Sequence, residues 1–201
     1  MNKVISLVGE DPNDTLSIRY LLEKRISVKV SYELLIRHKR GHQLDNERTK
    51  ESLKIECKRK NPDLIIFIRD ADGIYTQHDK IEKCNKWHKE LSKELNTPNI
   101  LLLNIYELEA LIFADIDVFN SIYKTSIKGN RDVTYIKEPK EELIKHTLKQ
   151  KKKYSESDCP DIFKQLNIDN VIKKCGYFRQ FYEALVQAVG EQHVSPVSNK
   201  T

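Results

Sequence analysis

The chain has 201 residues, 39% apolar and 32% charged, so it can bury a full core and form one α/β domain with a small appendage. No run approaches the roughly 18 consecutive apolar residues of a membrane-spanning helix, and we expect no such helix. The net charge of +5 is mildly basic and compatible with a nucleic-acid partner. Because the first residues lead into an apolar segment without a signal peptide, we expect a cytoplasmic protein.

Apolar segments alternate with helix-like segments through the first 115 residues or so. Strands are predicted at residues 4–8, 28–36, 63–69 and 100–105, and the third, DLIIFIR, is apolar on both faces and therefore central. The helix after the first strand is expected to begin with Asp14 near its N-cap. Four strand–helix alternations predict a parallel, Rossmann-like α/β sheet of four strands with helices on both faces.

The character of the chain changes near residue 125, where the apolar strands stop. Amphipathic segments then predict three helices, at residues 143–148, 163–168 and 178–189. We therefore divide the chain into an α/β domain (1–125), a helical C-terminal appendage (126–190) and a flexible tail (191–201).

Acidic side chains follow the two strands that are expected to be central. Glu10 comes directly after the first strand, and Asp70 and Asp72 follow the third. Residues two apart on an extended segment point the same way, and parallel strands end at one edge, so these three carboxylates are expected to converge. Such a cluster needs a cation, and all-oxygen ligation suits Mg²⁺ or Mn²⁺. The alternative is that these acids only cap helices.

Basic residues are concentrated in two segments. Arg37, Lys39 and Arg40 follow the second strand, and a lysine-rich run contains Lys151 and Lys152. The functional interpretation is contact with nucleic-acid phosphates, and the alternative is two solvated loops.

The acidic motifs resemble those of TOPRIM domains, the metal-binding fold of topoisomerases, primases and overcoming-lysogenization-defect (OLD) nucleases. Val8-Gly9-Glu10, with Asp14 four residues later, is similar to their first motif, and Asp70-Ala71-Asp72-Gly73 is similar to their DxD motif. The fold implied by this resemblance is a TOPRIM-like α/β domain.

Later segments resemble a bacterial TOPRIM-like family of formally unknown function, often encoded beside ATPase genes. They are Glu107-Leu108-Glu109-Ala110-Leu111-Ile112-Phe113-Ala114-Asp115 and, in the C-terminal part, the stretch from Asp161-Ile162-Phe163 to Cys175-Gly176-Tyr177-Phe178. The resemblance therefore spans most of the chain.

The resemblance implies a metal-dependent nuclease with one or two ions at a phosphodiesterase-type site. Glu10, Asp70 and Asp72 would hold the metals, and Asp14 and Glu109 would contribute to the second metal or act through water.

A lysine often assists in OLD-type nucleases, and the candidates here are Lys140 and Lys137, the latter also a nucleic-acid contact. One departure from the motif is Asp11, which stands where the family has glycine and adds a negative charge beside Glu10. The implied substrate is DNA or RNA, tRNA included, and the implied context is an anti-phage defence system with an ATPase partner. A homodimer is compatible with effector domains of this size.

Two alternatives remain open at the level of the sequence. The first is a TOPRIM-like subunit that binds metal and a partner protein without cutting nucleic acid. The second is a phosphoreceiver domain, which shares the parallel sheet and also gathers acids around Mg²⁺. Against the receiver, Asn104 ends the fourth strand where a Ser or Thr is expected, and Glu107 and Glu109 have no role.

Overall fold

In the computed structural model, which describes residues 2–26, 28–37, 41–129 and 132–190, a four-stranded parallel sheet forms the centre of the chain. The strands are β1 (Lys3–Val8), β2 (Val30–Leu34), β3 (Leu64–Asp70) and β4 (Asn99–Asn104). Their order is β2-β1-β3-β4, so β1 and β3 are the central neighbours. The predicted α/β class with a parallel four-stranded sheet flanked by helices is confirmed.

Nine α-helices are assigned within the described residues. They are α1 (Pro12–Leu22), α2 (Glu47–Lys60), α3 (His78–Glu94), α4 (Ala110–Ala114), α5 (Ile116–Tyr123), α6 (Pro139–Thr147), α7 (Cys159–Phe163), α8 (Ile168–Lys174) and α9 (Gly176–Val189). Three short 3-10 turns span Gly41–Asp45, Val133–Tyr135 and Glu156–Asp158. In these described parts of the chain, no helix is long and apolar enough to cross a membrane.

Two helix boundaries differ from the sequence prediction. The cap of α1 is Asp11, whose side chain accepts a hydrogen bond from the Asn13 backbone (2.7 Å), and Asp14 lies within the first turn. The single helix predicted at 163–168 is wrong, because α7 ends in that segment and Asn167 caps a separate helix, α8. Side-chain capping is a local preference that competes with apolar periodicity, and here the caps decide the boundaries.

The alternating side chains of β3 feed two hydrophobic clusters. Leu64, Ile66 and Ile68 belong to the cluster on one face, whereas Ile65 and Phe67 belong to the cluster on the other face. This alternation follows from the strand period of two, and both sets are buried because helices cover both faces. β3 is accordingly buried at every position before Asp70.

The helices after residue 125 share the first of these clusters with the sheet. Leu143 of α6, Phe163 of α7, Phe178 and Leu185 of α9 pack in the same continuous set as the side chains of β1, β3 and α1. Helix α7 packs on α1, and α9 packs on β4. The strands thus end near residue 105, but the hydrophobic cluster continues to the end of α9.

Candidate acidic site at the carboxyl edge of the sheet

The register of β3 and β4 places Asp70 opposite Asn104 at the last pair of the ladder. The Asn104 amide donates a hydrogen bond from Nδ2 to Asp70 Oδ1 (2.9 Å), which fixes the carboxyl at the edge of the sheet. Asn104 Oδ1 is buried and has no hydrogen-bond partner in the described ranges. A buried carbonyl oxygen without a donor is costly, so this atom is available to a donor or a cation.

The loop after Asp70 is clasped to the loop after β4. The backbone N–H of Asp72 donates to the Tyr106 carbonyl (3.0 Å), and the Tyr106 N–H donates to the Gly73 carbonyl (2.9 Å). Asp72 and Tyr106 both have a positive φ, +52° and +68°. The prediction that Asp70 and Asp72 share one side of an extended segment is therefore wrong at Asp72, whose backbone is left-handed and which is exposed.

Four carboxyls interact electrostatically at this edge of the sheet. Burial, then the charge of Asp14, raises the pKa of Asp70 well above its usual range. Burial, then the charge of Glu109, does the same for the pKa of Asp14. The pKa of Glu109 is raised by burial to about 7. Burial also raises the pKa of Glu10, and the charge of Arg69 opposes that shift.

The charges of Glu10, Asp14 and Glu109 all act on Asp70, so these four carboxyls, all of them predicted from the sequence, lie within electrostatic reach of one another. Asp72 joins the group at its rim, where its charge acts on Glu10. Burial and like charge both disfavour ionisation, so a bound cation would relieve a strain that this cluster carries.

Arg69 lies within the acidic site and was not among the site residues predicted from the sequence. It is only 7% exposed, and its Nε donates to Glu10 Oε1 (3.3 Å) while Nη1 donates to Asp45 Oδ1 (2.6 Å). Its guanidinium lies 4.4 Å from the centroid of the Trp87 ring. Because Val8 pairs with Phe67 in the β1–β3 ladder, the residue two after Val8 reaches the level of Arg69. The available signal was an arginine ending a fully apolar strand.

Glu109 also has partners from the C-terminal part of the chain. The Tyr154 hydroxyl donates to Glu109 Oε1 (3.0 Å) and also lies 3.0 Å from the Cys159 sulfur. The predicted Lys140 has its Nζ 3.7 Å from Glu107 Oε1, and its charge opposes the raised pKa of Glu109. Lys140 therefore lies next to Glu107, beside the acidic cluster.

The donor set consists of carboxylate and amide oxygens, which suits Mg²⁺ or Mn²⁺. No three His, Cys, Asp or Glu side chains within residues 2–26, 28–37, 41–129 and 132–190 are arranged closely enough to hold one ion as they stand. Like charges repel, so ion binding at this site would require side-chain rotations that draw the carboxylates together.

A lysine-lined cavity of about 430 Å³ opens beside Asp70 and Asp72. We call it the lysine cavity; its cationic lining comes from α2, α3 and the end of β3, namely Lys50, Lys80, Lys83, Lys86 and Arg69. Its lining also includes the carboxylates of Asp45, Asp70, Asp72 and Glu90. Three of the lysines recur at every third position of α3 and so share one face of that helix. Lys80 Nζ donates to the backbone carbonyl of Asp72. This hydrogen bond joins the lysine face of α3 to residues 70–73, which we call the DxD loop.

The lysine cavity was not among the predicted nucleic-acid contacts. Four of those predicted residues are exposed and lie outside its lining: Arg37, Lys137, Lys151 and Lys152. The other two, Lys39 and Arg40, fall outside the described residues. The signal for the cavity was the i, i+3 spacing of lysines in the helix that follows the DxD motif.

Comparison with known proteins gives one family. The model of a domain of unknown function, DUF4276, matches residues 10–186. The chain belongs to this family. The DUF4276 match begins at Glu10 and ends within α9, so the acidic site and the C-terminal helices belong to one family unit. Neither the search of curated proteins nor that of solved structures gave a match. The family description names no activity, and the likeness of this DUF4276 chain to TOPRIM domains stays a prediction.

Proposed function

We propose that this chain is a Mg²⁺- or Mn²⁺-dependent nuclease that cleaves phosphodiester bonds of DNA or RNA with a TOPRIM-like site. The observation that carries the proposal is that Asp70 and Asp72, at the edge of the sheet, also line a cavity that contains four lysines and an arginine. Glu10, Asp14, Asp70 and Glu109 form a cluster that favours a cation, and the adjoining lysine cavity favours phosphate.

The residues suited to hold the ions are Glu10, Asp70 and Asp72, with Asp14 and Glu109 completing the cluster and Asn104 Oδ1 as a neutral oxygen. When bound, one or two divalent ions would stabilise the attacking and leaving oxygens of an in-line displacement at phosphorus. Only oxygen donors are involved, in agreement with the preference of Mg²⁺ and Mn²⁺.

The side chains of the chain itself supply binding and proton transfer. The α3 lysines would bind the phosphates on either side of the scissile bond, because a lysine ammonium attracts phosphate as a compact charge. The Tyr154 hydroxyl donates to Glu109 and would hold its carboxyl in place for proton transfer. Lys140 adds a positive charge next to this pair.

The TOPRIM resemblance supplies the cellular part of the proposal. We infer a cytoplasmic effector that works with an ATPase partner in anti-phage defence, acting as a monomer or a homodimer. A pull-down with the product of a neighbouring ATPase gene and light scattering of the purified chain test these two points.

The ion pair between Arg69 and Glu10 favours a second candidate function. Arg69 is paired with one of the acids that would hold a metal, so fewer carboxylates are free to hold the two ions that two-metal cleavage uses. The second candidate is a subunit that binds metal and a partner protein without cutting nucleic acid.

One experiment separates the two functions. The purified full chain is incubated with Mg²⁺ or Mn²⁺ and with single- and double-stranded DNA and RNA, and cleavage is followed on gels. We compare Asp70→Asn with Asp117→Asn, which neutralises an exposed carboxylate of α5. Loss of a residue that only hydrogen-bonds to a metal ligand lowers activity about 10- to 100-fold. Because Asp70 would bind the ion itself, Asp70→Asn should lower the cleavage rate at least about 100-fold. Asp117→Asn should match the unmodified chain.

Equal cleavage by the unmodified chain and Asp70→Asn would show that this site does not cut. If calorimetry shows that Mn²⁺ binds, if this binding requires Asp70 and if every nucleic acid stays intact, the chain is the binding subunit and not the nuclease.

A further inference from the structure

A second cavity, of about 660 Å³, lies between Tyr75, the 3-10 turn that contains Tyr135, and the start of α9. We call it the tyrosine cavity; its lining combines three phenol rings with polar side chains, and includes Tyr75, Tyr135, Tyr177, Asp132, Lys174 and Gln180. Its volume falls within the range of roughly 300–1,000 Å³ that is usual for small-molecule sites.

Two of its rings are unusually exposed. Tyr75 is 51% exposed and Tyr135 is 54% exposed, although both are large enough to be buried in a core. Exposed aromatic side chains that line a cavity are typical of binding surfaces, because the ring offers an apolar face and the hydroxyl a polar end.

The backbone holds these two rings at the same cavity wall. The Tyr75 N–H donates to the carbonyl of Thr134 (3.2 Å), the residue directly before Tyr135. The Thr134 N–H and hydroxyl both donate to Asp132 Oδ1 (2.9 and 2.7 Å), which fixes the 3-10 turn that carries Tyr135. The backbone that carries the two rings is therefore held in place before any ligand arrives, which lowers the entropy cost of binding.

The tyrosine cavity adjoins the acidic site through the chain itself. Asp72 lines the lysine cavity and Tyr75 lines the tyrosine cavity, and three residues of chain span at most roughly 11 Å. A nucleic-acid strand with a phosphate near Asp72 would therefore need to cover no more than about this distance to bring a neighbouring group to Tyr75.

The chemistry of the lining indicates what that group is. Tyrosine rings stack on nucleobases whatever the sequence, and the Gln180 amide can both donate to and accept from a base edge. Lys174 adds a positive charge for the connecting phosphate. Bases inside a duplex have their faces covered by neighbouring base pairs, so only an unpaired base can enter.

We propose that the tyrosine cavity binds a nucleobase, and that the substrate is a single-stranded nucleic acid held by one base in this cavity and by its phosphate at the acidic site. The proposal rests on the proposed nuclease function, because it assigns the substrate class of the same site. It adds Tyr75 and Tyr135 as binding residues that no motif indicates.

The test uses single-stranded DNA and RNA oligonucleotides that carry 2-aminopurine, whose fluorescence is quenched when it stacks. The full chain is added to the oligonucleotides in Ca²⁺ in place of Mn²⁺, so that binding is measured apart from cleavage. Dissociation constants are measured for the unmodified chain, for Tyr75→Ala and Tyr135→Ala, and for Tyr75→Phe and Tyr135→Phe, which keep the ring. The control is Ile55→Ala, which removes a 61% exposed apolar side chain of α2. Further probes are a duplex of the same sequence and adenosine monophosphate.

We expect the unmodified chain to quench 2-aminopurine in the single strand. Each Ala variant should weaken single-strand binding by about 5- to 150-fold, the range for loss of one base–ring stack. The Phe variants and Ile55→Ala should bind within about twofold of the unmodified chain, and the duplex should bind more weakly than the single strand.

Absence of quenching, or Ala variants that bind the single strand like the unmodified chain, would overturn the proposal. Mononucleotide binding as tight as strand binding would overturn it too, because the cavity would then take a free nucleotide. Cleavage in Mn²⁺ is measured separately. If the chain cleaves the strand and the Tyr→Ala variants bind and cleave it equally well, only the base site is refuted. If binding depends on the two rings but no nucleic acid is cleaved, only the nuclease function is refuted.

Discussion

Glu109 illustrates how a single residue couples the acidic site to stability. Burial raises its pKa from the ordinary value of 4.5 to about 7. Between these two pH values the folded chain keeps a proton that the unfolded chain releases, so stability falls as the pH rises through this window. The difference corresponds to about 3 kcal/mol, which is a large part of the stability of a typical domain.

We predict that Glu109→Gln weakens this pH dependence. In a chelator, the free energy of unfolding of the unmodified chain should drop between pH 5 and pH 7.5, and the drop should be smaller for the variant. It should not vanish, since the pKa values of Asp14 and Asp70 are also raised. Urea unfolding at a series of pH values measures it.

The matched control for this measurement is Glu183→Gln, which changes an exposed glutamate of α9. Its pH dependence should equal that of the unmodified chain. If the free energy of unfolding falls with pH as steeply for Glu109→Gln as for Glu183→Gln, the raised pKa of Glu109 is contradicted.

At the scale of the element, α1 explains the departure at Asp11. The resemblance places a glycine there, and the aspartate was expected to add a negative charge beside Glu10. The structure shows a local reason for it: the Asp11 carboxylate caps α1 through the Asn13 N–H, and Pro12 follows as the first helical residue. Since α1 also carries Asp14, this cap fixes the start of the helix that delivers an acid to the cluster.

We predict that Asp11→Ala lowers the free energy of unfolding by about 1 kcal/mol, because it removes the cap. Asp11→Ser should keep most of the stability, since the hydroxyl can accept the same hydrogen bond. Denaturant unfolding at pH 7.5 measures both.

Asp79→Ala is the control for the α1 measurement. Asp79 is an acidic residue in the first turn of α3, where the cap residue Gln77 makes no side-chain cap hydrogen bond. Removing it costs only its interaction with the helix dipole, typically under about 1 kcal/mol. A serine variant as unstable as the alanine variant would show that the charge of Asp11, not its cap, matters.

At the scale of the whole molecule, the sheet and the C-terminal helices stabilise each other. The larger cluster runs from Ile5 and Ile66 of the sheet to Phe178 and Leu185 of α9. The opposite face of the sheet carries the smaller cluster, which includes Trp87, the only tryptophan of the chain. Because β3 contributes to both clusters, loss of either one exposes the central strand.

We predict that the chain unfolds as one cooperative unit. Trp87 fluorescence reports on the smaller cluster, whereas far-UV circular dichroism is dominated by helices, many of which lie after residue 125. The two signals should give the same urea midpoint and the same slope. Separate midpoints would show that the α/β part and the helical part are independent domains.

The sequence by itself determined the class of the fold and the place of the acids. Apolar runs such as residues 64–68 are local signals, and a parallel sheet always brings the carboxyl ends of its strands to one edge. Glu10 and Asp70 could therefore be placed together in advance. The match from residue 10 to residue 186 gives the family, and it too follows from the sequence.

Only the tertiary structure decided how the acids are arranged and what surrounds them. The Arg69–Glu10 pair follows from the register of β1 against β3, and the exposure of Asp72 follows from a left-handed φ that no pattern of side chains requires. Glu109 meets Tyr154 across 45 residues of chain. Contacts of this kind depend on long-range packing, so they cannot be predicted from the local spacing of apolar residues. For the same physical reason, the two cavities emerged only from the folded chain.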